Sequence, residues 1–317
     1  MGKITDISGI EVGHATHPTQ ATGCTVVLCR QGAVAGVDVR GSAPGTRETD
    51  LLRPTFMIRH IHGVMLTGGS AFGLRTVDGA MQYLAEQGVG YDARGFIIPI
   101  IPAAVIFDLR EGRDPAYPTT EMGYEACRNA GTNVAEGRVG AGRGATVGKL
   151  LGLEHCMSGG VGSAATEIAG GVRVGALAVV NALGDIVDPA TGQIVAGARN
   201  PQGEGFADAF RLAMQGQFGS PLPADRENEG EAPSNTTLAV VATNARFNKE
   251  EINKVAQMAQ NGIARCIRPA HTMYDGDVVF ALSCGDVSAD INVVGEVAAM
   301  MVSEAILRAV RVANEMG

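Results

Sequence analysis

The stretch NTTLAVVATN at residues 235–244 decides how the rest of the sequence is interpreted. Its apolar run, Leu238 to Ala242, is typical of a strand that is buried on both faces. The preceding segment, residues 219–233, is acidic and contains three prolines, which is typical of a loop. The sequence therefore predicts an abrupt change from loop to buried strand at Asn235 and Thr236.

A threonine at such a boundary has two interpretations. Thr-Thr before an aliphatic run is ordinary strand initiation, because β-branched residues favour strands. Alternatively, the Thr236 hydroxyl attacks the carbonyl group of Asn235 and cuts the chain, and the new α-amine of Thr236 then serves as its own base. The second interpretation makes the chain a precursor of an amidase.

Composition and charge limit the classes of protein to consider. The 317 residues are 45% hydrophobic and include 44 glycines, which allows a large core with tightly layered sheets. The net charge is −8 and Lys and Arg form no cluster, so we expect neither a nucleic acid nor a membrane partner. Residues 1–8 lack the apolar core of a signal peptide, and we expect a cytoplasmic protein.

Neither a metal site nor a disulfide framework is expected. The six cysteines include no C-x-x-C pair, and we interpret them as reduced, buried small side chains. His14 and His17 are three residues apart and His60 and His62 are two apart, spacings that a metal site can use. No carboxylate or cysteine completes a ligand pattern around them, so turn or surface roles are favoured over ligation, and no cofactor is expected.

Periodicity and turn residues predict the main elements. Residues 25–29 and 33–39 are predicted as two paired strands joined by a turn at 30–32. Further predicted elements are a helix over 74–86, a strand over 170–181, a helix with a capping box of Asn248 and Glu251, a strand over 278–282, and a helix from about 294 to 314.

Three polar or glycine-rich segments are candidate binding sites. The turn at 68–73 and the stretch at 137–149 match neither the Walker pattern nor G-x-G-x-x-G. We interpret the first as tight packing of a helix on a sheet, with phosphate binding as a weaker alternative. The polar loop at 40–50 is long, and loops of that length usually carry function or move.

Five segments in order resemble the DmpA-type peptidase family. That family includes β-aminopeptidases, L-aminopeptidase/D-esterases and 6-aminohexanoate-oligomer (nylon oligomer) hydrolases. The segments are GCTVVL at 23–28, DVRGSAPGTRETD at 38–50, LTGGSAFG at 66–73, NTTLAVVAT at 235–243 and DGD at 275–277. Together they span nearly the whole chain.

The resemblance implies an α+β fold, a four-layer αββα sandwich of the N-terminal-nucleophile type that is shared with ornithine acetyltransferase. It implies one domain over residues 1–317, cleaved between Asn235 and Thr236 into a large subunit, 1–235, and a small subunit, 236–317. It also implies assembly of these heterodimers into a tetramer or larger homo-oligomer.

The same resemblance implies the catalytic residues. Thr236 corresponds to the nucleophile, Asn181 to the oxyanion donor and Lys149 to the lysine beside the nucleophile, while Asp275 and Asp277 correspond to two neighbouring acids. A threonine nucleophile with an Asp-x-Asp pair is more similar to the nylon-oligomer hydrolase branch than to the β-aminopeptidases.

These residue types suit the chemistry. A free α-amine has a pKa of about 7.7 to 8.0, which a nearby ammonium lowers and a carboxylate raises. Lys149, Asp275 and Asp277 can therefore adjust the pKa of the Thr236 α-amine, which is the base. The Asn181 amide can donate to the tetrahedral oxyanion. Each residue also has an ordinary structural interpretation, as a turn residue or a solvated lysine.

The predicted function is hydrolysis of amide bonds in short peptides or oligoamides through an acyl-threonine. Alternatives within the same architecture are an aminopeptidase for β- or D-residue peptides and an acyltransferase of the ornithine acetyltransferase type. An alternative from another class is an uncleaved small-molecule binding protein that uses the turn at 68–73 or the loop at 40–50.

Overall fold

The computed structural model describes residues 2–109, 116–216 and 235–315, so the predicted loop at 219–233 lies outside the described residues. The strands are β1 Glu11–Thr16, β2 Gly23–Val39, β3 Thr46–Arg47, β4 His60–Thr67, β5 Tyr91–Ala93, β6 Phe96–Ile98, β7 Ala103–Val105, β8 Thr146–Val147, β9 Met157–Ser158, β10 Gly160–Ile168, β11 Val172–Asn181, β12 Asp185–Val187, β13 Ile194–Ala196, β14 Thr236–Ala245, β15 Ile267–Arg268 and β16 Val278–Val287. The α-helices are α1 Thr76–Glu86, α2 Thr120–Arg128, α3 Ala209–Met214, α4 Lys249–Cys266 and α5 Ile291–Glu315.

One continuous path of paired strands organises the molecule. Its order is β10-β11-β14-β16-β2-β4-β7-β3, and β1 also pairs with β2. The β14–β16 and β4–β7 pairs are parallel, and the other pairs along the path are antiparallel. The strand that follows the predicted loop, β14, is therefore central, with β11 on one side and β16 on the other.

The path folds back on itself because β2 belongs to two layers. Residues 23–28 of β2 pair with β1, residues 24–28 and 33–34 pair with β4, and residues 34–39 pair with β16. The prediction of two strands joined by a turn at 30–32 was wrong. Gly32 adopts φ +85°, but there the chain makes a register shift between Leu28 and Ala33 within one 17-residue strand.

Successive side chains along each strand point to opposite faces of the sheet, so the hydrophobic core forms three layers. On β14, Ala239 and Val241 pack with α4 and α5, whereas Leu238 and Val240 face the interior between the two halves of the sheet. On the other half, Val26 of β2 packs beneath α1 and α2. The order of layers is therefore helix, sheet, sheet, helix, which is the predicted αββα sandwich.

The predicted helices are present, with small differences at their ends. The capping box of α4 is formed, because the Asn248 side chain accepts from the Glu251 amide at 2.9 Å and the Glu251 carboxylate accepts from the Asn248 amide at 2.9 Å. A 3₁₀ helix, Ser70–Arg75, precedes α1. Within the described part of the chain, no helix has both the length and the apolar character that crossing a bilayer requires.

Candidate active site

Three segments meet where β14 begins. Thr236 is the first residue of β14 and lies opposite Asn181, the last residue of β11, in the antiparallel register. Asn235 forms an isolated parallel bridge with Asp275, just before β16. The side chains of Thr236, Asn181, Asp275 and Asp277 are all buried, so the sheet brings these predicted residues together in one enclosed place.

The carbonyl group between Asn235 and Thr236 accepts two hydrogen bonds. The Thr236 hydroxyl donates to the Asn235 carbonyl oxygen at 2.5 Å. The backbone N–H of Gly276 donates to the same oxygen at 2.8 Å. A carbonyl that accepts two hydrogen bonds is polarised, and a backbone donor so placed also stabilises negative charge that develops on the oxygen.

Gly276 is a site residue that the sequence reasoning missed. A Cβ atom at this position would lie 2.8 Å from Thr236 Oγ1 and 2.7 Å from the carbonyl oxygen of Ala43, so only glycine fits without displacement. The one sequence signal was its position between two acids, which equally describes a plain turn.

Lys149 holds the side chain of Asn181. Its ammonium donates to Asn181 Oδ1 at 2.8 Å and to the Asn181 carbonyl oxygen at 3.0 Å, while the Thr146 amide also donates to Oδ1, at 3.0 Å. The Asn181 Nδ2 group donates to the carbonyl oxygen of Phe107 at 3.1 Å. Because Asn181 Oδ1 accepts from Lys149 and from the Thr146 amide, the Nδ2 group of Asn181 faces away from Lys149.

The backbone around Lys149 explains how it reaches this place. Gly148 adopts φ +71°, a conformation that glycine accepts readily. The amides of Gly148 and Lys149 donate to the carbonyl oxygens of Gly184 and Leu183, which follow Asn181 in the chain. The glycine-rich stretch that ends at Lys149 is thus joined to the turn after β11.

The two acids have different partners. Asp277 accepts from the Thr237 amide at 2.7 Å and therefore fixes the backbone next to Thr236. Asp275 accepts from the Thr272 amide at 2.8 Å and from its hydroxyl at 2.6 Å. Burial raises the pKa of the Asp275 carboxyl, and the nearby Asp277 raises it further, whereas the Thr272 hydrogen bonds and Lys149 act in the opposite direction.

His271 is a second residue that the sequence reasoning missed. Its Nδ1 atom lies 2.9 Å from Asp277 Oδ2, and its backbone N–H donates to the same oxygen at 3.2 Å. Its φ is +56°, which is uncommon for a residue with a side chain. Among the described residues, no hydrogen-bond partner faces its buried Nε2 atom. His271 therefore positions Asp277 beside the start of β14.

The polar loop at 40–50 packs against the acids. The amides of Arg40 and Gly41 donate to the Asp277 carbonyl oxygen at 3.0 and 3.1 Å, and the Ala43 amide donates to the Asp275 carbonyl oxygen at 2.9 Å. A Cβ atom at Gly41 would collide with the backbone of Asp275. The first part of the loop is thus a wall of the site.

Three of the four histidines in the two sequence pairs make local contacts. His14 Nδ1 lies 2.9 Å from Thr25 Oγ1, His17 Nδ1 accepts from the Gln20 amide at 3.0 Å, and His62 Nδ1 accepts from the Ile100 amide at 3.2 Å. Across residues 2–109, 116–216 and 235–315, no group of three His, Cys, Asp or Glu side chains could hold a metal ion. All six cysteines are free thiols.

Comparison with known proteins assigns the chain to a family. The family model for peptidase family S58 matches residues 2–317. The chain belongs to peptidase family S58. This membership, together with the relatives below, confirms the predicted resemblance to the DmpA-type and β-aminopeptidase proteins.

Curated relatives of this S58 chain have peptidase or amidase names. The uncharacterized aminopeptidase Rv1333 of Mycobacterium tuberculosis is 44% identical over 300 residues, which cover 91% of this chain and 83% of that protein. The 6-aminohexanoate-oligomer endohydrolase of Kocuria sp. (strain KY2) is 30% identical over 323 residues, which cover 96% of this chain and 85% of that protein. The S58 chain is therefore a hydrolase of amide bonds.

Solved structures support the fold. The PH0078 protein from Pyrococcus horikoshii OT3 has a TM-score of 0.70 at 23% identity and covers 97% of this chain and 86% of its own. The L-aminopeptidase D-Ala-esterase/amidase of Ochrobactrum anthropi, described as a variant of the Ntn hydrolase fold, has a TM-score of 0.68 at 18% identity and covers 97% and 85%. The S58 chain has the N-terminal-nucleophile hydrolase fold that the resemblance implied.

Proposed function

We propose that this protein is an N-terminal-threonine amidohydrolase that cuts its own chain between Asn235 and Thr236 and then hydrolyses short peptides or oligoamides. The observation that carries the proposal is the hydrogen bond between the Thr236 hydroxyl and the carbonyl oxygen of Asn235, at 2.5 Å, in a carbonyl group that Gly276 also contacts. The hydroxyl therefore lies against the one peptide group that must break.

The proposed self-cleavage begins with an acyl shift. A bond forms between Thr236 Oγ1 and the carbonyl carbon of Asn235, the C–N bond to Thr236 breaks, and the hydroxyl proton passes to the departing amine. Water then hydrolyses the ester, which leaves a carboxylate on Asn235 and a free hydroxyl and amine on Thr236. The products are 1–235 and 236–317, the latter of 317 − 235 = 82 residues.

The same groups serve the mature enzyme in this proposal. The α-amine of Thr236 accepts the hydroxyl proton as Oγ1 attacks a substrate carbonyl. The Gly276 N–H and the Asn181 amide stabilise the oxyanion, and Lys149 supports this role by fixing the direction of the Asn181 amide. Asp277 holds the Thr237 amide, and Asp275 adds negative charge that tunes the base.

Substrate class, assembly and location complete the proposal. The names of the relatives support oligoamides and short peptides as substrates, with water as the acyl acceptor rather than a second amine. We also propose a cytoplasmic homotetramer or larger assembly of cleaved heterodimers, which light scattering of the native protein tests directly. The free state of all six cysteines is compatible with a reducing compartment.

Intact-mass measurement and N-terminal sequencing test the cleavage. We expect two fragments, the smaller beginning at Thr236. Thr236→Ala should remain one chain without amidase activity, because both steps need the hydroxyl. Thr237→Ala is a matched control, because its side chain is buried one residue further along β14, and it should still process. Persistent precursor in the unmodified protein at neutral pH contradicts the proposal. If Thr237→Ala stays uncut and Thr236→Ala is processed, Thr237 is the nucleophile instead.

A further inference from the structure

Asn235 is held on the protein as a substrate residue would be. Its backbone N–H donates to the Tyr274 carbonyl oxygen at 3.4 Å, and its carbonyl oxygen accepts from the Gly276 N–H at 2.8 Å. These contacts make a one-residue parallel pairing with Asp275. Backbone pairing of an extended residue with a neighbouring segment is a common way to bind a peptide through its main chain rather than its side chain.

Chemistry relates this position to the substrate, if the proposed function holds. The ester formed in self-cleavage and the acyl-enzyme formed in catalysis both join an acyl group to Thr236 Oγ1, and they differ only in the acyl chain. The acyl carbonyl must in both cases reach the same hydroxyl and the same Gly276 donor. The residue that supplies the acyl carbonyl therefore occupies the same space in both reactions.

The side chain of Asn235 does not suit that space. Only 1% of the residue is exposed, and among the described residues neither Nδ2 nor Oδ1 has a hydrogen-bond partner. A buried amide without partners is unfavourable, whereas an apolar group of the same shape in the same place carries no such cost. Leucine has the same branched outline as asparagine and no polar atoms.

The backbone contact points to an internal residue rather than a free N-terminus. A neutral amide N–H needs one acceptor, which Tyr274 supplies, but a free ammonium has three donors to satisfy. In the precursor the chain also continues on the N-terminal side of Asn235, so a residue with an acylated nitrogen fits this position.

We propose that the space around Asn235 is the acyl-side subsite of the mature enzyme, and that it takes a peptide residue with a leucine-like apolar side chain and an acylated nitrogen. The enzyme is then endo-acting. The carboxamide of Asn235, which has no hydrogen-bond partner among the described residues, also weakens the binding of this subsite to the new C-terminus of the large fragment, which favours its replacement by substrate.

Three chromogenic substrates test the proposal on the cleaved enzyme. N-acetyl-leucine p-nitroanilide should exceed N-acetyl-asparagine p-nitroanilide in kcat/KM by roughly 5- to 100-fold, from the cost of one buried unpaired amide. It should also exceed leucine p-nitroanilide, which has a free amine. Equal or higher activity on the asparagine compound overturns the apolar preference, and higher activity on the free amine overturns the endo-acting subsite.

A second measurement tests the physical premise without turnover. In the Thr236→Ala background, which keeps the peptide bond intact, Asn235→Leu should raise the melting temperature and Asn235→Ala should not. A lower melting temperature for Asn235→Leu means that the carboxamide does have partners, and the apolar preference fails.

Sequencing separates this inference from the proposed function. If no fragment begins at Thr236, the self-cleaving mechanism itself is wrong. If the fragment begins at Thr236 and the enzyme prefers free-amine or asparagine substrates, the mechanism stands and the assignment of the acyl subsite is wrong.

Discussion

Lys149 serves two groups in the site at once. Its ammonium donates to the side-chain and backbone oxygens of Asn181, and its charge lowers the pKa of Asp275. We also propose that this charge acts on the α-amine of Thr236 after cleavage. In this proposal a single positive charge orients the Asn181 amide and favours the neutral, basic form of the amine.

Replacement of this charge should shift the pH profile. In cleaved Lys149→Met, the Thr236 amine keeps its proton to higher pH because no neighbouring ammonium opposes protonation, so the acid limb of kcat/KM moves upward. The pKa of Asp275 should rise as well, because Lys149 normally lowers it. Assays on a short amide from about pH 5 to 10 measure the shift.

Lys149→Arg is the control, because it keeps the charge and should leave the acid limb near its original position. An acid limb that does not move in Lys149→Met means that the lysine is not coupled to the base. Its role would then lie in the hydrogen bonds with Asn181 and in its effect on the pKa of Asp275.

The sequence predicted which side chains meet at the candidate site better than it predicted their neighbours. Thr236, Asn181, Lys149, Asp275 and Asp277 come together because strand ends and the turns beside them meet at one end of the sheet. Gly276 acts through a backbone N–H, which no side-chain pattern reveals. His271 contacts Asp277 only because the chain adopts a left-handed φ there, and that conformation has no clear sequence signal in a histidine.

At the scale of elements, the start of α4 fixes the segment that follows the loop at 40–50. Lys249, in the first turn, donates through Nζ to the carbonyl oxygens of Leu51, Phe56 and Ile58, each at 3.0 Å. Burial lowers the pKa of this lysine, and the charge of Arg59 lowers it further. One ammonium thus satisfies three backbone acceptors in a segment that has little regular structure.

Loss of this contact should destabilise the protein. We expect Lys249→Met to lower the free energy of unfolding by about 1 to 3 kcal/mol, because charged hydrogen bonds are lost and some of the carbonyl oxygens can turn to water. Lys254→Met on the exposed face of the same helix should change it by less than about 0.5 kcal/mol. Urea denaturation measures both, and equal effects of the two variants would contradict the role of Lys249.

Individual elements were predictable where local signals are strong. The capping box marks the start of α4, and the apolar runs mark β11, β14 and β16. The predicted turn at 30–32 in β2 was wrong. A glycine with turn-forming neighbours is compatible both with a chain reversal and with a register shift within one strand. Pairing with β4 and β16 on the two sides stabilises the continuous strand with its register shift.

For the whole molecule, the proposed cleavage point lies at the first residue of a central strand. Residues 236–315 contribute β14, β16, α4 and α5, and β14 pairs with β11 while β16 pairs with β2. The small fragment therefore shares hydrogen-bond ladders on both sides with the large one. Its helices also cover the buried face of β11.

The two fragments should remain together after cleavage. We expect them to co-elute in native size-exclusion chromatography and to separate only in a denaturing gel, because the shared ladders and core are the same as in the uncut chain. Uncleaved Thr236→Ala provides the elution volume for comparison. Elution of a free fragment of 82 residues under native conditions would contradict this expectation.

The position of Asn181 on β11 and of Thr236 on β14 has a consequence for synthesis. On the proposed cleavage, the large fragment carries the oxyanion amide and Lys149, whereas the small fragment carries the nucleophile and both acids. Neither fragment alone contains all of these groups. In this proposal one chain is translated and cut afterwards. Each Thr236 is then made together with its own Asn181, and the two subunits form at a one-to-one stoichiometry that needs no matching of separate expression levels.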